Sequence, residues 1–252
     1  MTRFYFSLLA CLLTLTAVRA QEIPDSAIVI PPDLIDENGF KFSYIDLFVD
    51  ADTSDTGEPL HNTYLMEAGG IYFFSKRNFW DYDTYFGAIG DTEALGRPIV
   101  ERRNASGGSA LQDVYRGPAG ISFDNLDITM GDKGPNAANY EVAMVRGNGN
   151  GVTYRWNNCI LRKVRQALAR SEGINEKVFV TNCHIYNLGD FGQFQGNGRL
   201  VSPRQGPVDS IVFRNNVIHN VLDRLYIGFR HASLNYFQFS GNTVFNHVGR
   251  HG

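Results

Sequence analysis

Along Ile211–Val221 (IVFRNNVIHNV) apolar residues alternate with polar ones, a pair of asparagines interrupts, and a second apolar run follows. The pattern returns at Tyr154–Val164 (YRWNNCILRKV), Phe179–Leu188 (FVTNCHIYNL) and Phe237–Val248 (FQFSGNTVFNHV), and more faintly at Ile121–Ile128 (ISFDNLDI). Aligned, Phe123, Trp156, Val180, Phe213 and Phe239 share one column. Asn125, Asn158, Asn182, Asn215 and Gly241 share a second, and Ile128, Leu161, Ile185, Ile218 and Val244 a third. Alternation on either side of a turn residue predicts two short strands in each unit, each with one buried face.

The Asn column advances by 33, 24, 33 and 26 residues. Self-similarity at such a period means stacked units, none able to bury its apolar face alone, with loops of unequal length spliced between fixed turns. The fold expected is all-β: a single-stranded parallel β-helix, a solenoid. Asparagine suits its turns because it tolerates left-handed backbone angles, and stacked copies can bond side chain to side chain in an Asn ladder. An antiparallel β-sandwich carrying an accidental NN repeat is the alternative. Candidate third strands are Glu141–Val145, Gln166–Ala169, Arg199–Val201 and Leu225–Phe229. Earlier strands are expected at Thr63–Met66, Ile71–Phe74, Tyr85–Ile89 and Pro98–Glu101.

Composition narrows the class. The 252 residues are 43% hydrophobic and 19% charged, with a net charge of −3. One domain with a sizeable core fits, and nothing points to nucleic acid. Residues 1–20 read as a secretory signal: Arg3, the apolar run Phe4–Val18, then Val18-Arg19-Ala20 before Gln21. Leu8-Leu9-Ala10-Cys11 resembles a lipoprotein box but lies too near the start, so simple cleavage is favoured. The expected location is secreted, periplasmic or cell-surface, with no membrane insertion after cleavage. Residues 21–60, acidic and with Pro31-Pro32, read as a linker or N-terminal cap. The repeats occupy 61–252, and the uncapped last unit suggests a truncated C-terminus. Cys159 and Cys183 fall at equivalent positions in adjacent units; two buried thiols are preferred to a disulfide, and zinc lacks a spacing. Asp50–Glu58 resembles a calcium loop, but its glycine is misplaced. No cofactor or metal is therefore assigned, and calcium has no motif to support it.

The repeats, with the earlier TYLMEAGGIYFF and YFGAIG, resemble the pectin-lyase-like right-handed β-helix superfamily, nearest its alginate-lyase and chondroitinase-B-like secreted bacterial proteins. The resemblance covers residues 60–252 and implies a right-handed helix whose third strands line a groove for acidic polysaccharide. The NTD…DG pattern of pectin hydrolases is missing, as are the paired acidic calcium motif and RxPxxR segment of classical pectate lyases. Fold alone does not establish activity.

Four arginines keep a near-constant offset from the Asn column. Arg146 and Arg170 lie 12 residues before it, Arg204 and Arg230 lie 11 before. On stacked units they would form a basic file suited to uronate carboxylates, which arginine binds bidentately; four ordinary solvated turn arginines are the plainer reading. Uronate β-elimination needs positive charge on the carboxylate and a base within reach. Arg170 and Arg230 are assigned to the charge role, and Lys163 and His231 to the base, with Tyr226 and His247 as further candidates. Trp80 and Tyr82, in the loop Asn78–Tyr85, are assigned to sugar stacking, against a lid role for that loop. The carboxylates considered for a hydrolase, Glu172 and Asp223, make a weak pair. Three functions compete: a lyase of acidic polysaccharide, a non-catalytic carbohydrate-binding β-helix, and a structural cell-surface module.

Overall fold

The computed structural model describes residues 26–103, 113–131, 143–189, 198–204, 206–223, 225 and 233–247. The expectation of an all-β chain of parallel strands holds. The strands are shared among three sheets, and one pair, Leu34–Ile35 with Lys41–Tyr44, is antiparallel. Each full pass of the chain lays one strand in each sheet. The pass through Thr153–Asn157, Ile160–Arg162 and Ala167–Ser171 is typical. The first sheet has eight strands, from Ala27–Ile30 to Leu234–Ser240. The second has nine, ending at Thr243–His247. The third has four: Asp113–Tyr115, Ala143–Gly147, Ala167–Ser171 and Arg199–Val201.

Registers follow the sequence columns. In the first sheet Phe123 pairs with Trp156, Trp156 with Val180, Val180 with Phe213 and Phe213 with Phe239. In the second, Ile128, Leu161, Ile185, Ile218 and Val244 pair in sequence. All these side chains are buried except Phe239 and Val244 in the last pass. Phe86, Phe123 and Trp156 stack face to face at 5.7 and 6.1 Å, so the core is continuous along the stack. Each buried aliphatic or aromatic side chain contributes roughly 1.5–3 kcal/mol.

The column asparagines sit at the bend between first and second sheets with left-handed φ: 58° at Asn125, 51° at Asn158, 57° at Asn182 and 58° at Asn215, with Gly241 at 65°. Asn158 donates to Asn125 at 3.1 Å and Asn215 to Asn182 at 3.5 Å. Between them Asn182 turns instead to Asn157 Oδ1, at 3.1 Å. A second left-handed column lies five residues further on: Lys163, Asn187, Asn220 and Asn246. Asn220 donates to Asn187 at 2.9 Å, and Asn246 to Asn220.

The sheets take their first strands from within residues 21–60, since Ala27–Ile30 pairs with Thr63–Glu67 and Lys41–Tyr44 with Ile71–Phe74. The short helix Ile45–Ala51 buries Ile45 and Val49, and its buried Asp46 accepts from Ser75 and Lys76. At the opposite end Tyr236, Phe237 and Phe245 are exposed. Cys159 and Cys183 are free and buried, with Cys159 N–H donating to Cys183 Sγ at 3.4 Å. Burial pushes the Cys159 thiol up.

Candidate functional site

The third sheet brings the arginines together. Arg146 and Arg170 are register partners on paired strands. Arg204 lies just beyond the next strand, its N–H donating to Ser171 O at 2.8 Å. Arg116 stands three residues past Asp113, as Arg146 stands three past Ala143, and those two are register partners. It therefore continues the row one pass earlier. Arg230 and His231, with the further candidate Tyr226, lie outside the described residues.

Glu172 is the common counter-charge. Its carboxylate lies 2.8 Å from Arg146 Nε, 3.7 Å from Arg170 Nη2 and 3.9 Å from Arg116 Nη2. Asp113, fully buried, has Arg77 Nε at 3.1 Å without hydrogen-bond alignment, and among the described residues its oxygens have no hydrogen-bond partner. Burial pushes the Asp113 carboxyl up, against the pull of Arg77, Arg146, Arg116 and Arg170. Arg170 is pushed down to about 10, by burial first and then by the charges of Arg204 and Arg146. Its Nη1 donates to Gln166 at 2.9 Å, while its buried Nε has no hydrogen-bond partner among the described residues. Arg77, Arg116, Arg146 and Arg170 thus gather around Asp113 and Glu172, with the charge of Arg204 acting on Arg170, an excess of positive charge in a chain of net charge −3. Such a cluster attracts anionic groups.

The other assigned residues lie elsewhere. Lys163 occupies a left-handed bend before the strand Ala167–Ser171, whereas Arg170 is near that strand's far end. Trp80 is 8% exposed, packed against Phe86 and Tyr115, with its indole N–H donating to Asp50 at 3.1 Å. Its faces are committed to the core, where a large aromatic gains most. Tyr82 packs partly buried against the same cluster. The loop Asn78–Tyr85 therefore covers the core as a lid. His247 Nε2 contacts the backbone oxygen of Asp223, and Asp223 pairs with Arg199 at 3.0 Å. In the acidic segment, Asp50 is engaged by Trp80 and Lys76, and Asp52 by His61 and Tyr64.

Sequence reasoning missed Arg77 and Arg116. Arg116 precedes Asn125 by only 9 residues, because the connection from third to first sheet is shorter in that pass. Counting from the strand instead of the turn would have found it. A depression of about 370 Å³ was also missed; it lies over the first sheet between Tyr85, Asp124, Arg155, Phe179 and Arg214. Arg155 sits 5.5 Å above the Phe179 ring.

Compared with family models, curated proteins and solved structures, the chain matches none. The functional reading rests on the arginine cluster itself.

Proposed function

We propose that this chain is a secreted right-handed parallel β-helix of the pectin-lyase-like kind, that its asparagine bends act as a ladder, and that its third sheet binds acidic polysaccharide. The observation that carries the reading is the gathering of four arginines around Asp113 and Glu172 on neighbouring passes, with the charge of Arg204 acting on Arg170. Parallel strands repeat every 4.7–4.9 Å or so, so the row offers guanidinium groups at regular intervals to regularly spaced uronate carboxylates.

The reaction that fits is β-elimination. Arg146 and Arg116 hold the uronate carboxylate and stabilise the charge that develops when the α-proton leaves. His231, next in sequence to Arg230, is the base assigned to that proton.

Incubation with alginate, pectate and chondroitin, followed by the absorbance of the unsaturated product, tests this. Turnover supports the lyase. Salt-sensitive retention without product supports the non-catalytic reading. Retention of none of the three glycans sinks both. Replacing Arg146 and Arg170 together with alanine is expected to weaken retention at least about tenfold, and retention equal to the parent's removes the cluster as the site.

A further inference from the structure

The outward face of the second sheet carries an arrangement that the glycan reading does not use. His184 and His219 come from the paired strands His184–Leu188 and Val217–Val221. Register sets His184 opposite Val217 and Tyr186 opposite His219, so the two imidazoles are diagonal neighbours. They alternate with Ile185 and Ile218, which are fully buried, and so point away from the core. Their Nε2 atoms converge to 2.9 Å.

The rings are held in place. His219 is sandwiched between Tyr186, at 5.1 Å and 3°, and Phe245, at 4.6 Å and 8°. The Tyr186 hydroxyl accepts from Arg162 at 3.0 Å, and Arg162 is fixed by Asp127 at 3.1 Å and Thr129 at 2.9 Å. His184 packs on Tyr186 at 4.8 Å. Little side-chain freedom remains to be lost when a ligand arrives, which is the advantage of a preorganised site.

We propose that His184 and His219 form a binding site for a tetragonal first-row divalent cation, copper(II) before nickel(II), with water in the remaining positions. Imidazole nitrogens bond such ions at about 2.0–2.1 Å. At that bond length, two nitrogens 2.9 Å apart subtend about 90° at the metal. That is the angle between adjacent ligands in tetragonal coordination. A tetrahedral ion such as zinc would hold them about 3.3–3.4 Å apart, so the spacing and the general affinity order both favour copper.

Without metal, one imidazole donates its Nε2–H to the other. On binding, that ring releases this proton and takes one at Nδ1, so both Nε2 lone pairs face the metal and a neutral pair releases no net proton. The charge of Arg97 acts on His184 and weakens cation binding. Its guanidinium, however, is tied to Asn125 and Asn158 at 3.1 and 3.0 Å. The metal clips two successive passes together across strands already joined by backbone bonds, packing and the Asn220–Asn187 hydrogen bond.

Titrating copper(II) chloride alone into the full chain, followed by calorimetry and electron paramagnetic resonance, tests the site. The tightest equivalent is expected to give a tetragonal copper spectrum with hyperfine structure from two nitrogens, with nickel(II) weaker and zinc(II) weaker still. His184→Asn removes one ligand, and His219→Phe removes the other while keeping a ring between Tyr186 and Phe245. Each is expected to lower copper affinity at least about tenfold, with melting curves confirming that the variants fold. His247→Asn is expected to change nothing. A parent spectrum lacking the two-nitrogen pattern, or unchanged affinity in either ligand variant, would leave the pair as a hydrogen bond and overturn the proposal.

Discussion

Glu176 is fully buried, bonded to the Tyr154 hydroxyl at 2.8 Å and to the Ser171 hydroxyl. Burial pushes its carboxyl up from 4.5 to about 7, more than the bonds from Ser171 and Tyr154 pull it down. A folded-state pKa above the unfolded one means that the native protein holds the proton more tightly. The stabilisation this gives is fully present below pH 4.5 and is lost as pH rises through about 7. The upper limit is about 3 kcal/mol. Denaturant unfolding at pH 4.5 and pH 8 is expected to show that Glu176→Gln loses less stability across this interval than the parent. Equal pH dependence in the two proteins would mean that Glu176 titrates normally.

At the scale of the element, the bend between first and second sheets depends on one residue in each pass. Asn158 has φ 51° and donates to Asn125, and its own amide oxygen accepts from Arg97. Alanine there meets the left-handed penalty of about 1–2 kcal/mol and also removes one of the acceptors of Arg97. Asn158→Ala is therefore expected to cost about 2–3 kcal/mol and Asn158→Gly less, because glycine keeps the backbone angle. The order is read from urea unfolding midpoints, and a glycine variant no better than alanine would place the cost in the hydrogen bonds alone. Gly241 is the corollary: a Cβ there would stand 2.3 Å from Asn215 Oδ1, so the fifth bend lacks a side chain because its neighbour's amide fills the space.

Across the whole molecule, the core is a set of columns that join every pass to the next. Trp156 lies in the middle of one, stacked on Phe123 and fully buried, with its indole nitrogen 2.9 Å from Met144 Sδ. Trp156→Ala is expected to destabilise by about 3–5 kcal/mol. Because the strands of each pass pair only with those of its neighbours among the described residues, the loss should fall on local cooperativity as well as on global stability. Hydrogen exchange is then expected to rise first in Ile121–Asp124 and Glu176–Thr181, the two strands paired with the one carrying Trp156. A uniform rise along the chain would contradict the column picture. The same architecture concentrates charge, since residues dispersed in sequence from Arg77 to Arg204 meet along one sheet.

The three columns read from the sequence, apolar, asparagine and aliphatic, are the registers of the structure. They are legible because parallel stacking puts identical positions in contact, so each copy of the repeat states the same constraint. The second bend column was equally written there, five residues after the first, but Lys163 in place of asparagine broke its outline. The bases and the sugar-stacking aromatics could not be read this way. Whether Trp80 faces solvent or core, and which carboxylate answers Arg146, depend on loops that carry no repeat and on contacts between residues up to 35 positions apart, such as Tyr115 with Trp80. The row from Arg116 to Arg204 and the meeting of His184 with His219 exist only once the passes are stacked. Sequence specifies periodic local structure, while a site between passes depends on how the unequal connections bring different positions to the same height.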